Sequence, residues 1–471
     1  MRKNKLLIPI TLVIGLGKSG ENAARLLNSE GESVIIIEES NNNELAKKAI
    51  SLRELGITVI LGKAFTINNL KQWINQIRSV IVSPGVSWDH CTLKELRAMN
   101  ITVKGEVSLA WERLSNIPWA AITGTNGKTT VTYMLQHICK HSLINSAMCG
   151  NMGVTTSSIS YNYKRTNKEA IEQLKLLIIE MSSYQIESSP EIKPHIGIWT
   201  NLTPDHLERH KTIQNYFKIK SNLLNNSLNP IYNADDKYLA NYRNILKEGI
   251  WVSSKSQYSG ENKNKYWLNK EGVIMEDDQK LYNSNLIKIP GEHNLQNLLL
   301  VTAAARLIGI TSKDIEKSIV NFKGVPHRLE KIDIPIEIDI FNDSKATNYD
   351  SAIAGISSVE EPIILISGGK RKKGDIKSWL RIVRDKVSSI LLYGSSAKFL
   401  ESELRKASFS GEIEIHIELE EAVKSAIKLI KYGKSKTLLF SPSCASFDQY
   451  TNFEERGEHF KALIKRYANR I

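Results

Sequence analysis

The chain has 471 residues, of which 41% are hydrophobic and 24% are charged, so its length predicts two to four globular domains. With 27 Gly and 12 Pro, the composition excludes collagen-like, fibrous and largely disordered proteins. The formal net charge of +13 favours an anionic partner, such as nucleic acid, a membrane surface or a phosphorylated metabolite, and does not choose among them.

The N-terminus imitates a signal peptide, because basic residues precede an apolar stretch at residues 6–16. No small-residue cleavage site follows, so we interpret the stretch as a buried strand. No segment approaches the roughly 20 apolar residues that span a bilayer. The four cysteines form no C-x-x-C pair, which favours reduced thiols. We therefore expect a cytoplasmic protein without membrane insertion.

Short apolar runs alternate with helical patterns from residue 8 to about residue 106. The runs occupy residues 8–14, 34–37, 58–61, 80–82 and 101–103. Continuous apolar strands separated by helices predict a doubly wound α/β domain with a parallel sheet.

A G-x-G-x-x-G cluster at Gly15, Gly17 and Gly20 follows the first predicted strand, where backbone N–H groups at a helix start can bind phosphate. Glu38 and Glu39 end the next strand, as the ribose-binding acid does in a dehydrogenase. By itself the motif does not decide between three interpretations: a nucleotide-binding site, the NAD site of an oxidoreductase, and a turn with a purely structural role.

A second domain begins with a helix near residues 107–114 and a strand at residues 119–123. The strand leads into residues 124–130 (GTNGKTT). Glycine-rich backbone followed by Lys-Thr provides an amide cradle, a cation for phosphates and a hydroxyl for Mg²⁺. Ile122 stands where the usual P-loop begins with Gly, so this is a shorter variant. The pattern predicts ATP binding.

Polar residues follow two further predicted strands of this domain, at residues 176–179 and 196–200. They are Glu180 after the first strand and Asn201, Thr203, Asp205 and His206 after the second. Ligands gather at the carboxyl ends of parallel strands, and Mg²⁺ prefers oxygen ligands. A metal site is therefore predicted there. Residues 231–290 suggest an antiparallel excursion, and residues 295–307 a helix.

From residue 325 the alternation restarts, with strands predicted at residues 334–340, 363–366, 390–393, 412–417 and 437–440. A third α/β domain is expected. The basic run at residues 370–373 is interpreted as a solvated loop.

Three motifs together carry a family resemblance: residues 124–130, residues 342–348 (NDSKATN) and residues 441–450 (SPSCASFDQY). Residues 83–86, 180–185 and 291–294 support it in the same order. On these motifs the chain resembles the ATP-dependent Mur ligases of peptidoglycan synthesis, and the last two motifs resemble their D-glutamate-adding branch.

The resemblance implies an α/β enzyme of three domains. Residues 1–106 would form a Rossmann-like UDP-sugar-binding domain, residues 107–324 a P-loop ATPase domain with a mainly parallel sheet, and residues 325–471 a Rossmann-like domain that receives D-glutamate. The implied substrates are ATP, UDP-N-acetylmuramoyl-L-alanine and D-glutamate, with two Mg²⁺ ions. We expect a monomer without a nucleic-acid partner.

The resemblance also implies site residues. For ATP they are Gly124, Thr125, Asn126, Gly127, Lys128, Thr129, Thr130, Asn297, Arg328 and Asp343. For the UDP-sugar they are Gly17, Lys18, Ser19, Gly85, Asn151, Ser182 and His206. For D-glutamate they are Thr347, Lys372, Ser446, Phe447 and Phe453. The choice of Lys372 is open by one residue, because the basic run at residues 370–373 can be aligned with the family in more than one way.

The implied catalytic residues are Lys128, His206, Lys220 and Lys345, and the implied metal ligands are Thr129, Glu180, His206 and Lys220. Lys220 would be carbamylated by CO₂, which converts a cation into an anionic oxygen ligand. Lys218 is the nearby alternative, and Tyr216, four residues before Lys220, favours the latter.

Two alternatives remain open. One is a sister ligase that adds another amino acid, although the chain lacks the Asp-Asn-Pro motif expected of a diaminopimelate- or lysine-adding enzyme. The other is an ATP-responsive nucleic-acid-binding protein, which rests only on the net charge and one basic run.

Overall fold

The computed structural model describes residues 8–165, 173–255, 263–289, 291–335, 337–371, 374, 376–432 and 435–468. The chain divides into two compact units. The first contains Met1–Ile287 with His293–Asn321, and the second contains Lys288–Glu292 with Phe322–Ile471.

The first unit begins with a five-stranded sheet in the order β3-β2-β1-β4-β5, in which every neighbouring pair is parallel. Its strands are β1 (Ile10–Ile14), β2 (Ser33–Glu38), β3 (Thr58–Leu61), β4 (Ile77–Val82) and β5 (Thr102–Gly105), and its helices are α1 (Lys18–Ser29), α2 (Asn43–Arg53), α3 (Ile67–Leu70), α4 (Cys91–Ala98) and α5 (Glu106–Leu114). Separate apolar clusters cover its two faces. The predicted doubly wound sheet is confirmed, and its strand order reverses beside β1, where such folds bind ligands.

A nine-stranded sheet follows in the same unit, in the order β14-β13-β12-β11-β10-β9-β6-β8-β7. Its strands are β6 (Trp119–Thr123), β7 (Ser146–Gly150), β8 (Leu176–Glu180), β9 (Ile196–Trp199), β10 (Asn229–Asn233), β11 (Ile250–Ser253), β12 (Tyr266–Leu268), β13 (Val273–Glu276) and β14 (Gln279–Asn283). The helices around it are α6 (Lys128–His141), α7 (Thr156–Arg165), α8 (Ser183–Glu187), α9 (Leu207–His210), α10 (Ile213–Asn226), α11 (Lys237–Asn241), α12 (His293–Leu307) and α13 (Ser312–Val320).

The antiparallel excursion predicted over residues 231–290 is wrong for its first half. Strands β10 and β11 extend the parallel sheet, and antiparallel pairing starts only between β12 and β13. The reason is the connection between β10 and β11, which contains α11. A helical crossover returns the chain in the same direction, as parallel strands require.

Helix α12 lies against the centre of the sheet. Ten of its residues are buried, so it is apolar nearly all round, as expected of a helix enclosed by protein. It packs against α6, β10 and β11.

The second unit contains a six-stranded sheet in the order β15-β16-β20-β17-β18-β19. Its strands are β15 (Glu330–Lys331), β16 (Asp339–Asn342), β17 (Ile363–Gly368), β18 (Val387–Tyr393), β19 (Glu412–His416) and β20 (Thr437–Ser443), and its helices are α14 (Tyr349–Ser357), α15 (Lys377–Lys386), α16 (Ala397–Lys406), α17 (Leu419–Tyr432) and α18 (Phe453–Ala468). Only the β15–β16 pair is antiparallel. The strand predicted at residues 334–340 is wrong for all but its last two residues, since β16 begins at Asp339, and Pro335 has no N–H to donate to a ladder.

Helix α18, with 16 residues, is the longest of the described helices. No helix in the described part of the chain is long and apolar enough to cross a membrane. All four cysteines are free thiols: Cys91 is exposed at the start of α4, whereas Cys139, Cys149 and Cys444 are buried.

Candidate active site

A cavity of about 560 Å³ opens at the carboxyl end of the N-terminal sheet. Four predicted UDP-sugar residues, Gly17, Lys18, Ser19 and Gly85, line it. The turn before α1 is tight, because a Cβ at Gly20 would lie 1.9 Å from the carbonyl oxygen of Gly15. The start of α1 faces the cavity, since Gly17, Lys18 and Ser19 line it, and no side chain of the described residues caps its first turn. Its N-terminus is therefore a site for an anion.

The two acidic residues at the end of β2 hold backbone in place. Glu38 accepts hydrogen bonds from the N–H groups of Leu16 at 2.8 Å and Ser40 at 2.9 Å. Glu39 accepts from the N–H of Phe65 at 2.9 Å. Glu38 therefore fixes the glycine turn against the neighbouring strand.

The phosphate loop after β6 depends on two glycines. Gly124 has a φ of +145°, and a Cβ there would lie 1.9 Å from the hydroxyl oxygen of Thr200. Gly127 has a φ of +80°, and a Cβ there would lie 2.8 Å from Oδ1 of Asn297. Asn297, a predicted ATP residue on α12, thus lies against the loop.

The side chain of Lys128 folds over the loop and donates to the carbonyl oxygens of Gly124 at 2.9 Å and Thr125 at 2.8 Å. The N–H of Asn126 donates to Oδ1 of Asn201 at 2.8 Å, which ties the loop to the end of β9. Thr129 and Thr130 follow at the buried start of α6.

Glu180 ends β8 beside this loop and is 2% exposed. Its Oε1 accepts from the amide of Asn151 at 3.0 Å, whereas its Oε2 is buried without a hydrogen-bond partner among the described residues. Ser182, two residues on, forms a capping box with Gln185 at the start of α8. Asn151 therefore contacts Glu180, and Ser182 follows Glu180 by two residues.

Lys220 projects from α10 into the same region and is 1% exposed. Its Nζ donates to Oγ1 of Thr123 at 3.0 Å and to the carbonyl oxygen of Gly124 at 2.9 Å. Burial, followed by repulsion from Lys128, holds the pKa of Lys220 well below its ordinary value, against the attraction of Asp205 and Glu180. The amine is therefore readily available in its neutral form.

His206 occupies a more open position. Its side chain is 47% exposed, and its ring nitrogens lie 3.5 Å from Asp205 and 3.7 Å from Glu208. Its φ of +54° is left-handed, which turns the chain sharply into α9. Among the described residues, no group of three or more His, Cys, Asp or Glu side chains is arranged to hold a metal.

Sequence reasoning missed His210, which is 1% exposed. Its Nε2 is hydrogen-bonded to the hydroxyl of Ser183 at 2.8 Å, and its ring stacks on Tyr216 at 5.1 Å. Burial, followed by repulsion from Arg209, lowers the pKa of His210 to about 4. His206 precedes α9 with a left-handed φ, so the four-residue spacing of the two histidines is not a helical repeat and gave no signal for this contact.

Within the second unit, Asp343 is 4% exposed and follows β16. The hydroxyl of Ser441 donates to its Oδ2 at 2.8 Å, and the N–H of Leu329 to its Oδ1 at 3.3 Å. Burial raises the pKa of Asp343 to about 7, against the lowering effect of the Ser441 hydrogen bond and of Arg328.

Four of the other predicted residues of this unit lie on the loops after β16 and β20, namely Lys345, Thr347, Ser446 and Phe447, whereas Phe453 begins α18 and Arg328 precedes β15. Nζ of Lys345 lies 5.9 Å from the ring of Phe453, and Thr347 is half-buried. Ser446 is 2% exposed and Phe447 is 65% exposed. Lys372 lies outside the described residues.

Arg456 on α18 was also missed, although it is fully buried. It donates to the carbonyl oxygens of Ser344 at 2.7 Å and Cys444 at 3.0 Å, and so joins the two loops. A single arginine within an amphipathic helix gives no sequence signal for such a role.

Three domain families match consecutive parts of the chain. They are the Mur ligase MurD-like N-terminal domain at residues 10–105, the Mur ligase middle domain at residues 122–305 and the Mur ligase glutamate ligase domain at residues 327–444. Among solved structures, the UDP-N-acetylmuramate–alanine ligase of Thermotoga maritima has a TM-score of 0.58 and 18% identity, and the match covers 98% of this chain and 100% of that one. At that identity the likeness supports the fold alone.

Two curated relatives are more similar in sequence. The UDP-N-acetylmuramoylalanine–D-glutamate ligase of Prochlorococcus marinus is 49% identical over 457 residues, which cover 97% of this chain and 97% of the relative. The protein of the same name from Parasynechococcus marenigrum is 43% identical over 454 residues, which cover 96% and 98%. The chain therefore belongs to the Mur ligase family, alongside the UDP-N-acetylmuramoylalanine–D-glutamate ligases.

Proposed function

We propose that the chain is an ATP-dependent ligase that joins the carboxylate of UDP-N-acetylmuramoyl-L-alanine to the amino group of D-glutamate, releasing ADP and phosphate. The observation that carries this proposal is the convergence of a phosphate loop, a buried lysine and a buried carboxylate, at Lys128, Lys220 and Glu180. Relatives named for this reaction at 49% and 43% identity support the choice of substrates.

The reaction requires two anions to meet. The substrate carboxylate attacks the γ-phosphorus of ATP, ADP leaves, and the amine of D-glutamate displaces phosphate from the resulting acyl phosphate through a tetrahedral intermediate. Cations and backbone N–H groups must offset the negative charge. Lys128, whose side chain lies over the loop, and the amides at the start of α6 would do this for the phosphates.

The residues present fit Mg²⁺. Glu180 has a buried oxygen without a partner among the described residues, and Thr129 has a hydroxyl group in the first turn of α6. Together with His206 and a carbamylated Lys220, these residues would hold the two ions. When bound, Mg²⁺ supplies positive charge that offsets the charge of the phosphates.

Carbamylation suits Lys220. The neutral amine attacks the carbon of CO₂ and releases one proton, which leaves an anionic carbamate. The lowered pKa of Lys220 favours the neutral amine, and Thr123, which already contacts Nζ, would hydrogen-bond the product. The change also places an anion beside the cation of Lys128.

The remaining roles follow the family pattern. Gly17, Lys18, Ser19 and Gly85 would hold the UDP end of the sugar nucleotide, and Asn151, Ser182 and His206 its reacting end. Asn297, Arg328 and Asp343 would bind ATP, with Lys345 balancing phosphate charge. Thr347, Lys372, Ser446, Phe447 and Phe453 would receive D-glutamate. We propose that the enzyme acts as a monomer in the cytoplasm.

The test is phosphate release from ATP by the full chain with Mg²⁺ and UDP-N-acetylmuramoyl-L-alanine, comparing D-Glu with L-Glu, L-Ala, L-Lys and meso-diaminopimelate. Release that requires both the UDP-sugar and D-Glu is expected. Release with another amino acid would overturn the D-glutamate assignment but keep the ATP chemistry. No release with any amino acid would overturn the ligase assignment.

A further inference from the structure

His90 combines a place in the wall of the N-terminal cavity with a fixed orientation. It is the N-cap of α4, and its Nδ1 accepts a hydrogen bond from the N–H of Thr92 at 3.2 Å. Because Nδ1 accepts, the neutral ring carries its proton on Nε2. His90 also lines the cavity, so it offers that cavity a hydrogen-bond donor.

The position of this donor is fixed by Phe65. The rings of Phe65 and His90 lie 5.0 Å apart at 31°. The hydroxyl of Thr92 donates to the carbonyl oxygen of Phe65 at 2.9 Å, and Glu39 accepts from its N–H. Phe65 follows β3 and His90 follows β4, strands that β2 and β1 separate in the sheet. The two loops therefore meet in one wall of the cavity.

His90 differs chemically from the other described residues of the cavity wall. The serine hydroxyls there can rotate to donate or accept, and the carboxylates of Glu38 and Glu39 only accept. Lys18 belongs to the anion-binding turn at the start of α1. His90 therefore contributes a hydrogen-bond donor of fixed direction. A donor of this kind can distinguish two bases that differ in a donor or acceptor group.

We propose that Nε2–H of His90 donates to the O4 carbonyl oxygen of the uracil base and so selects uridine over cytidine nucleotides. This inference rests on the proposed function, in which the cavity holds the UDP end of the substrate. The start of α1 takes the diphosphate, which leaves the base to the Phe65–His90 wall. Cytosine carries an amine at position 4, and a fixed donor facing that amine rejects it.

Two substitutions test separately the two roles of His90, as hydrogen-bond donor to the base and as N-cap of α4. His90→Asn keeps a capping oxygen for α4 but loses the donor at the Nε2 position. His90→Gln reaches the Nε2 position with its amide N–H groups but weakens the cap. His195→Asn, at an exposed histidine outside the cavity, is the matched control.

The experiment is calorimetric titration of the full chain with UDP and with CDP, alongside thermal unfolding of each variant. We expect the unmodified chain to prefer UDP. His90→Asn should lower UDP affinity about tenfold and change CDP affinity less than twofold, while His90→Gln should keep the preference at a lower melting temperature. His195→Asn should match the unmodified chain.

The inference is overturned if the unmodified chain shows no preference for UDP, if His90→Asn retains that preference, or if His90→Gln loses it as fully as His90→Asn. These outcomes are distinct from failure of the ligase proposal. A chain that prefers UDP through His90 but releases no phosphate would refute the ligase assignment alone. An active ligase with an unchanged preference in His90→Asn would refute the role of His90 alone.

Discussion

A positive charge on Lys220 would be repelled by Lys128, because both side chains donate to the carbonyl oxygen of Gly124. We predict that Lys220→Ala lowers kcat by about 10²- to 10³-fold, because an anionic ligand is lost from the phosphate site. Short carboxylates should restore part of the activity by occupying the vacated space. Steady-state phosphate release measures both effects.

The matched control for this change is Lys218→Ala, at an exposed position on the same helix. It should retain full activity. Carbon-13 NMR with labelled CO₂ should show a carbamate signal in the unmodified chain and in Lys218→Ala, and none in Lys220→Ala. Full activity of Lys220→Ala without added carboxylate would contradict the carbamate.

Asp343 gives a pH-dependent stability with a defined sign. Its pKa is about 7 in the folded protein against an ordinary 3.8. Between these values the folded chain retains a proton that the unfolded chain has lost, so stability falls as pH rises from about 4 to 7. We therefore predict that Asp343→Asn stabilises the second unit at pH 8, by on the order of 2 to 4 kcal/mol, and has little effect at pH 4.

Thermal unfolding at the two pH values measures this difference. Asp350→Asn, at an exposed carboxyl on α14 of the same unit, is the control and should show no such difference. An equal effect of Asp343→Asn at both pH values would mean that the buried carboxyl is ionised throughout.

At the scale of elements, the phosphate loop requires glycine for two separable reasons. Gly127→Ala would place a methyl group 2.8 Å from Oδ1 of Asn297 at a φ of +80°. We predict that it raises the KM for ATP at least tenfold, because the loop must move away from α12. Gly31→Ala has a similar φ of +84° with nothing within 4 Å, so it reproduces the backbone strain without the collision.

Gly31→Ala should therefore lower stability by about 1 kcal/mol and leave the KM for ATP unchanged. If both variants raised the KM for ATP alike, the close approach of Asn297 would not be the cause. Titration of ATP in the phosphate-release assay, together with thermal unfolding, separates the two effects.

The strands of the N-terminal sheet could be predicted because each is an apolar run bounded by turn residues, and the predicted residues 58–61 coincide with β3. Two strand predictions were wrong at places where apolar runs of sequence do not decide how the strands pair or where they begin. The helix between β10 and β11 keeps them parallel, and Pro335 delays β16 to Asp339.

For the site, local motifs placed Gly124–Thr130 and Glu180 together. The partners His210 and Arg456 could not be found in this way, because their contacts, with Ser183 and Cys444 respectively, join distant parts of the sequence. Side chains that act through tertiary contacts leave no local spacing to detect.

At the scale of the whole molecule, the two compact units have separate apolar cores. The N-terminal cavity belongs entirely to the first unit. We predict two calorimetric unfolding transitions, one for each unit. UDP should raise the melting temperature of only the first unit, because at a hundred times its dissociation constant it adds about 2.7 kcal/mol to that unit's free energy of unfolding.

At pH 8, Asp343→Asn should raise the melting temperature of the transition that does not respond to UDP. That result would assign this transition to the second unit. A single transition, or an equal response of both transitions to UDP, would show that the units unfold together.

The distribution of the four thiols makes the molecule easy to tag. Burial raises the pKa of Cys139 to about 11 and that of Cys149 to about 12, and it also raises the pKa of Cys444, so these three thiols are unreactive in the folded chain. Cys91 is exposed and adjoins His90. A maleimide dye should therefore attach at Cys91 alone, and its fluorescence would report the arrival and departure of a nucleotide in real time.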